Sequence, residues 1–174
     1  MRTTVAANSG FRGDIYLLSP QTQKLPNFSK LTPVGSIYTP YLCVPARSFD
    51  EGFPGVTDRF EWFAIDYKGR FWVSQPGRYR FSLASDDGAI LYIDDKKIID
   101  NDRQHPVQEK FGSVPLKTGV HHIRVSYFQG PRFHVALVLS VAGPNDDEFR
   151  VFHTDEFKPP PDAPEWDTKP EKKK

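Results

Sequence analysis

Apolar residues in this chain recur at every second position, and no stretch sustains the three-to-four-residue spacing of an amphipathic helix. In Arg78-Tyr79-Arg80-Phe81-Ser82-Leu83, alternation sends Tyr79, Phe81 and Leu83 to one face and Arg78, Arg80 and Ser82 to the other. Ile123, Val125 and Tyr127 alternate with Arg124 and Ser126 in the same way. Two longer runs, Arg59–Tyr67 (RFEWFAIDY) and Arg132–Val141 (RFHVALVLSV), are apolar on both faces, as central strands of a two-layer structure are. Between the runs stand turn signals: Lys68-Gly69, Gln75-Pro76-Gly77, Asp87-Gly88, Asp95-Lys96, Lys117-Thr118-Gly119 and Gln129-Gly130-Pro131. The pattern predicts an all-β fold, an antiparallel two-sheet sandwich or barrel over residues 14–157, preceded by an extension at residues 1–13. Ser19–Thr57 is interrupted by Pro20, Pro26, Pro33, Pro40, Pro45 and Pro54. It is expected to wrap the sheets as long ordered loops, with short strands around Ile37 and Leu42.

Composition agrees with strands. The 14 Phe, 7 Tyr and 3 Trp favour sheets, and the 16 Pro and 12 Gly supply turns. At 174 residues the chain is long enough for one domain with a real core. Its 23 basic and 22 acidic residues leave a net charge of +1, which gives no whole-chain drive toward nucleic acid or an anionic membrane. No apolar run reaches the roughly 18 residues of a transmembrane helix, and MRTTVAANSGFRGD has no apolar core that would make it a signal peptide. Cys43 is the only cysteine, so an intramolecular disulfide and a cysteine zinc cage are excluded; in YLCVP it reads as a small buried hydrophobe. Residues 158–174 change character: KPPPDAPEWDTKPEKKK reads as an extended polyproline-like tail, a solvated linker or, through its lone Trp166, a short partner-binding peptide.

The feature with the most chemistry is Ser85-Asp86-Asp87-Gly88, between the strand YRFSLAS and the apolar AILYI. Asp-Gly is a hairpin dipeptide, and aspartate side chains satisfy loop amides, so a plain turn is one reading. Neighbouring side chains on an extended segment point to opposite faces, so convergence on one cation needs a turn or an unusual peptide geometry. If they converge, two hard oxygen ligands suit calcium. Acid/base hydrolysis of a glycoside needs carboxyls facing each other at about 5–5.5 or 6.5–9.5 Å, which sequence neighbours at a turn seldom provide. No nucleophile elbow, phosphate-binding glycine loop or H-E-x-x-H stands elsewhere. His121 and His122 project to opposite faces of a strand, and His105 lies in the NDRQHP loop as a ligand contact at most. Asp94-Asp95 reads as an ordinary turn.

The ordered run from Gly77 through SDDG, LYID and IIDN to the Gly119–Gly130 segment GVHHIRVSYFQG resembles the anthrax protective-antigen type domain, a lectin-like β-module also found in yeast flocculins, bacterial adhesins and some β-glucosidases. The resemblance spans about Phe11 to Pro159. It implies a non-enzymatic, carbohydrate-binding module in adhesion or glycan recognition, extracellular or at the cell surface. In sugar-binding members a consecutive aspartate pair joined by a cis peptide holds calcium, which coordinates sugar hydroxyls; Asp86 and Asp87 match that pair. Asn101, His105, Gln129 and Arg132 are the expected hydrogen-bonding neighbours of a glycan. The chain departs from the pattern after Tyr127-Phe128, where Gln129-Gly130-Pro131-Arg132 has no asparagine. A second reading is a structural module that binds protein partners in a larger assembly through a sheet face, an edge strand or the tail.

Overall fold

The computed structural model describes residues 10–57, 59–163 and 166. Among the described residues, eleven strands form two antiparallel sheets packed as a sandwich rather than a closed barrel. They are β1 (Phe11–Leu17), β2 (Gly35–Thr39), β3 (Cys43–Ser48), β4 (Phe63–Val73), β5 (Gly77–Asp86), β6 (Ala89–Ile93), β7 (Lys96–Asn101), β8 (Gln108–Leu116), β9 (Gly119–Gln129), β10 (His134–Ala142) and β11 (Arg150–Val151). One sheet has the order β2-β1-β4-β9-β6-β7; the other runs β11-β10-β5-β8, with β3 also paired to β10. The predicted alternation sets the faces: Tyr79, Phe81, Leu83, Ile123, Val125 and Tyr127 are all buried in one shared core.

Four details differ from the sequence reading. Lys68-Gly69 is not a turn, because β4 runs through it with Lys68 opposite Arg124 and Gly69 opposite Ile123. A Cβ at Gly69 would lie 3.0 Å from the Gly10 carbonyl oxygen, so the residue marks a close backbone approach. The RFEWFAIDY strand starts only at Phe63, since Trp62 has a positive φ of 59° that bends the chain. Likewise β10 starts at His134, leaving Arg132 and Phe133 in the preceding loop. Finally, β1 begins at Phe11, so residues 11–13 are sheet and not extension. Residues 1–9 of the expected extension and 164–165 and 167–174 of the expected tail lie outside the described residues.

The proline-rich segment wraps as expected. Leu25, Phe28 and Leu31 pack on Tyr16, Leu18, Ala64 and Phe128, a second apolar cluster on the outer side of the six-stranded sheet. The chain closes its main core from the C-terminal side. Phe152 stacks on Phe157 at 5.0 Å and meets Phe11, Phe71 and Phe81 edge-on or tilted, while the Trp72 amide donates to the Phe157 carbonyl at 2.7 Å. Trp166 lies over the Arg70 guanidinium, 4.3 Å from ring centroid to carbon, and its carbonyl accepts from Arg70. Because Phe152 is fully buried among four aromatic rings, Phe152→Ala is expected to cost about 3–5 kcal/mol in denaturant unfolding.

Candidate functional site

The Asp86-Asp87-Gly88 connection is not a hairpin. β5 belongs to one sheet and β6 to the other, so the chain crosses the sandwich there. Local dipeptide statistics carry no information about which sheet the next strand joins, which is why the hairpin part of the turn reading fails. Two further crossings, Asp102–Val107 between β7 and β8 and Gly130–Phe133 between β9 and β10, meet the first at the same end. Together they enclose a cleft of about 310 Å³ lined by Asp86, Asp87, His105, Arg132, Phe133 and their neighbours.

The corner is tightly seated. Phe128 donates its amide to the Gly88 carbonyl at 3.0 Å. A Cβ on Gly88 would stand 2.5 Å from Phe128 Cε1 and 2.8 Å from the Arg103 amide nitrogen, so no larger residue fits. From inside the core the buried Tyr127 hydroxyl donates to the Asp86 carbonyl at 2.7 Å. The Asp86–Asp87 peptide is cis, the geometry that the resemblance implies.

The two carboxylates are buried, at 7% and 5% exposure, yet they are treated differently. Asp87 Oδ1 accepts from the His105 amide at 3.2 Å and Oδ2 from the Gly130 amide at 2.8 Å, so the other two crossings hold it. Burial pushes its carboxyl up, and these two amides oppose the rise. The Asp86 carboxylate has no hydrogen-bond donor among the described residues. Its burial, with the neighbouring Asp87 charge, pushes it up to about 7.

Of the other expected contacts, His105 and Arg132 line this cleft, whereas Gln129 and Asn101 are fully buried and do not. His105 lines the cleft, with Nε2 2.8 Å from the Asn101 carbonyl and Nδ1 2.7 Å from the Pro106 carbonyl. Arg132 is exposed on the rim. Gln129 is fully buried just behind the loop. Its Nε2 donates to the Pro131 and His134 carbonyls at 3.3 and 3.2 Å, and its Oε1 is buried without a partner among the described residues. Asn101 is corrected: its side chain is buried and donates to the Leu83 carbonyl, Ser85 Oγ and the Gln108 carbonyl, so it braces β5 and presents nothing to a ligand. Phe133 is the residue the sequence reading missed. It is 73% exposed on the cleft rim, although the apolar run around it read as strand. The Gly130-Pro131 pair just ahead was the available signal that the strand had not yet begun.

The donor set fits a hard cation in charge and chemistry: two buried carboxylates, one of them unpartnered, facing a cleft. Asp86 and Asp87 would hold it. Among the described residues no group of three or more His, Cys, Asp or Glu side chains is gathered for a metal. The remaining ligands would therefore be neutral oxygens from backbone, water or a bound molecule.

A two-sheet sandwich with an aspartate pair at an inter-sheet corner, overhung by two crossing loops, defines a class of all-β module. The chain belongs to the PA14 domain family, whose profile matches residues 46–153. Its fold is similar to that of the PA14 sugar-binding domain from an RTX adhesin (15% identity, TM-score 0.70, covering 86% of this chain and 97% of that one). It is also similar to the Epa9A adhesin domain of Candida glabrata, solved with Galb1-3GlcNAc (15%, 0.62, 86% and 88%). An anti-sigma factor domain-containing protein is similar too (19%, 0.66, 88%), and this chain spans about half of it, 49%. No curated protein sequence matches the chain.

The unequal treatment of the two aspartates has a measurable consequence in metal-free protein. Asp86 keeps its proton to about pH 7 when folded and loses it near 3.8 when unfolded, so the native state binds more protons between these values. The contribution of Asp86 to stability therefore falls as pH rises from about 4 to 7. Asp86→Asn is expected to flatten that fall in thermal midpoints measured with chelator. Asp87→Asn sets an amide NH₂ against a backbone N–H and is expected to lose about 1–3 kcal/mol at pH 7.

Proposed function

We propose that this chain is a non-catalytic carbohydrate-binding module, extracellular or at the cell surface, whose glycan sits over the Asp86–Asp87 corner with calcium between protein and sugar. The observation that carries the reading is the Asp86 carboxylate, which is buried, without a donor among the described residues, and open to a cleft that three loops surround. Calcium would supply the compensating charge and would bind vicinal sugar hydroxyls in place of its waters. Asp87, fixed by the His105 and Gly130 amides, would keep the pair in place as ligand enters. Arg132 would donate hydrogen bonds to hydroxyls, and the exposed Phe133 ring would stack on a sugar face. Gln129 would act through the loop it ties to Pro131 and His134. Sugar-binding domains among the similar structures support the same reading.

A glycan array with calcium, repeated with chelator, tests it. Binding is expected with calcium and lost with chelator; chelator-resistant binding removes calcium, and an array without hits removes the glycan. Phe133→Ala is expected to weaken the bound glycan by about tenfold while the thermal midpoint stays within a degree or two, since the ring packs on solvent.

A second reading, an assembly module, rests on the outer face of the five-stranded sheet. There Phe111, 64% exposed, meets Phe149 at 5.7 Å, and Arg80 lies over the Phe149 ring. Exposed aromatic and arginine side chains together are the composition of protein interfaces. Native mass spectrometry that finds only monomer, for the wild type and Phe111→Ser alike, would remove it.

A further inference from the structure

We propose that the sandwich carries a second binding site, between the edge strands β2 and β3, for a neutral, mainly apolar molecule bearing one hydroxyl or carbonyl group. The site is independent of the glycan reading and shares no lining residue with the Asp86–Asp87 cleft.

β2 ends the six-stranded sheet and β3 borders the five-stranded one, and between these edges the two sheets leave a cavity of about 360 Å³. That lies within the range of small-molecule sites, about 300–1,000 Å³. Ile37, Leu42, Val44 and Phe53 form its walls, and Tyr67 and Leu137, from opposite sheets, form its floor. No lining residue carries a charge, and a buried ion without a partner is strongly disfavoured, so the occupant must be neutral.

Its polar specificity comes from Tyr67. The residue is 2% exposed; its hydroxyl makes no hydrogen bond among the described residues, and it is not one of the fully enclosed unpaired polar atoms, so it keeps open surface. Burial pushes the phenol up, so it stays protonated and serves as both donor and acceptor. Its ring crosses Gly13, where a Cβ would fall 2.8 Å from both Cδ1 and Cε1. The glycine thus leaves room over β1 for this ring, and Ile37, which pairs with Gly13 on β2, lines the same cavity. A ligand's oxygen would supply the missing partner while its apolar body fills the walls. Of the lining residues, Thr39 donates to the Tyr41 carbonyl at 2.7 Å and the Tyr41 ring packs on His153 at 5.2 Å.

Cys43 lines the same cavity and is half-buried, so its reaction with 4,4′-dithiodipyridine reports occupancy. Full-length protein is titrated with 2-naphthol and, separately, with naphthalene. 2-Naphthol is expected to slow Cys43 modification saturably and to bind about tenfold more tightly than naphthalene. Tyr67→Phe, which keeps the ring, is expected to erase that preference while still binding naphthalene. An unchanged Cys43 rate at the solubility limit of 2-naphthol overturns the site. A preference that survives Tyr67→Phe overturns the role of the hydroxyl and, with it, the proposed ligand class.

Discussion

The hydrogen bond from the Tyr127 hydroxyl to the Asp86 carbonyl joins the two halves of this protein. Tyr127 belongs to β9 in the six-stranded sheet, and Asp86 ends β5 in the five-stranded one. The bond therefore pins the place where the chain leaves one layer for the other. Phe53 stacks on the same Tyr127 ring at 5.0 Å, and Phe63 meets it edge-on at 6.3 Å, so the phenol has little freedom. A carbonyl held this rigidly fixes the direction of the two carboxylates that follow. Every proposed ligand contact is referred to that point: the His105 and Gly130 amides reach Asp87, and Gln129 orders the loop that carries Arg132 and Phe133.

Burial without full compensation is the second constraint. Asp87 receives two amides and Asp86 none among the described residues, although both are nearly as inaccessible as core side chains. Natural cores seldom leave a carboxylate in this state unless a proton, a cation or a ligand completes it. Asp94, by contrast, accepts from His121 and from the His122 amide and behaves as the turn residue it was expected to be. The difference between the two acidic pairs lies in their donors and not in their sequence.

That difference marks how much of the molecule was legible beforehand. Alternation fixes which residues face the core, because side chains in a strand have no other choice; Tyr79, Phe81 and Leu83 needed only the period of two. The proline-rich wrap was legible for a related reason, since prolines bar its residues from central ladders while Leu25, Phe28 and Leu31 still require a surface to cover. Strand partnership was not legible. Asp86-Asp87-Gly88 read as a hairpin because its neighbours are strands, yet the neighbours lie in different sheets. Asn101 read as a ligand contact because it is polar and near a loop. Its commitment to Leu83, Ser85 and Gln108 depends on β7 and β8 converging at the end of β5, which no local pattern records. Phe133 failed in the opposite direction, an apolar residue assigned to a strand that begins one position later.

The same topology explains why one end of the sandwich is polar and closed while an edge is apolar and open. Three crossings converge on the Asp86 end, and each brings backbone amides that need acceptors, so aspartates there satisfy loops while retaining lone pairs for a ligand. Between β2 and β3 the chain crosses by Pro40-Tyr41-Leu42, with Thr154 donating its amide to the Pro40 carbonyl and Leu139 to the Leu42 carbonyl. Those bonds use the backbone of the linker and leave its side chains, with Ile37 and Phe53, to form the wall of the cavity. A sheet edge that is neither paired nor filled by its own side chains exposes apolar surface, which folding alone would favour covering. Here the covering is incomplete around a single buried phenol, Tyr67, and that conjunction of open apolar wall and unpaired hydroxyl is what separates a ligand cavity from ordinary imperfect packing.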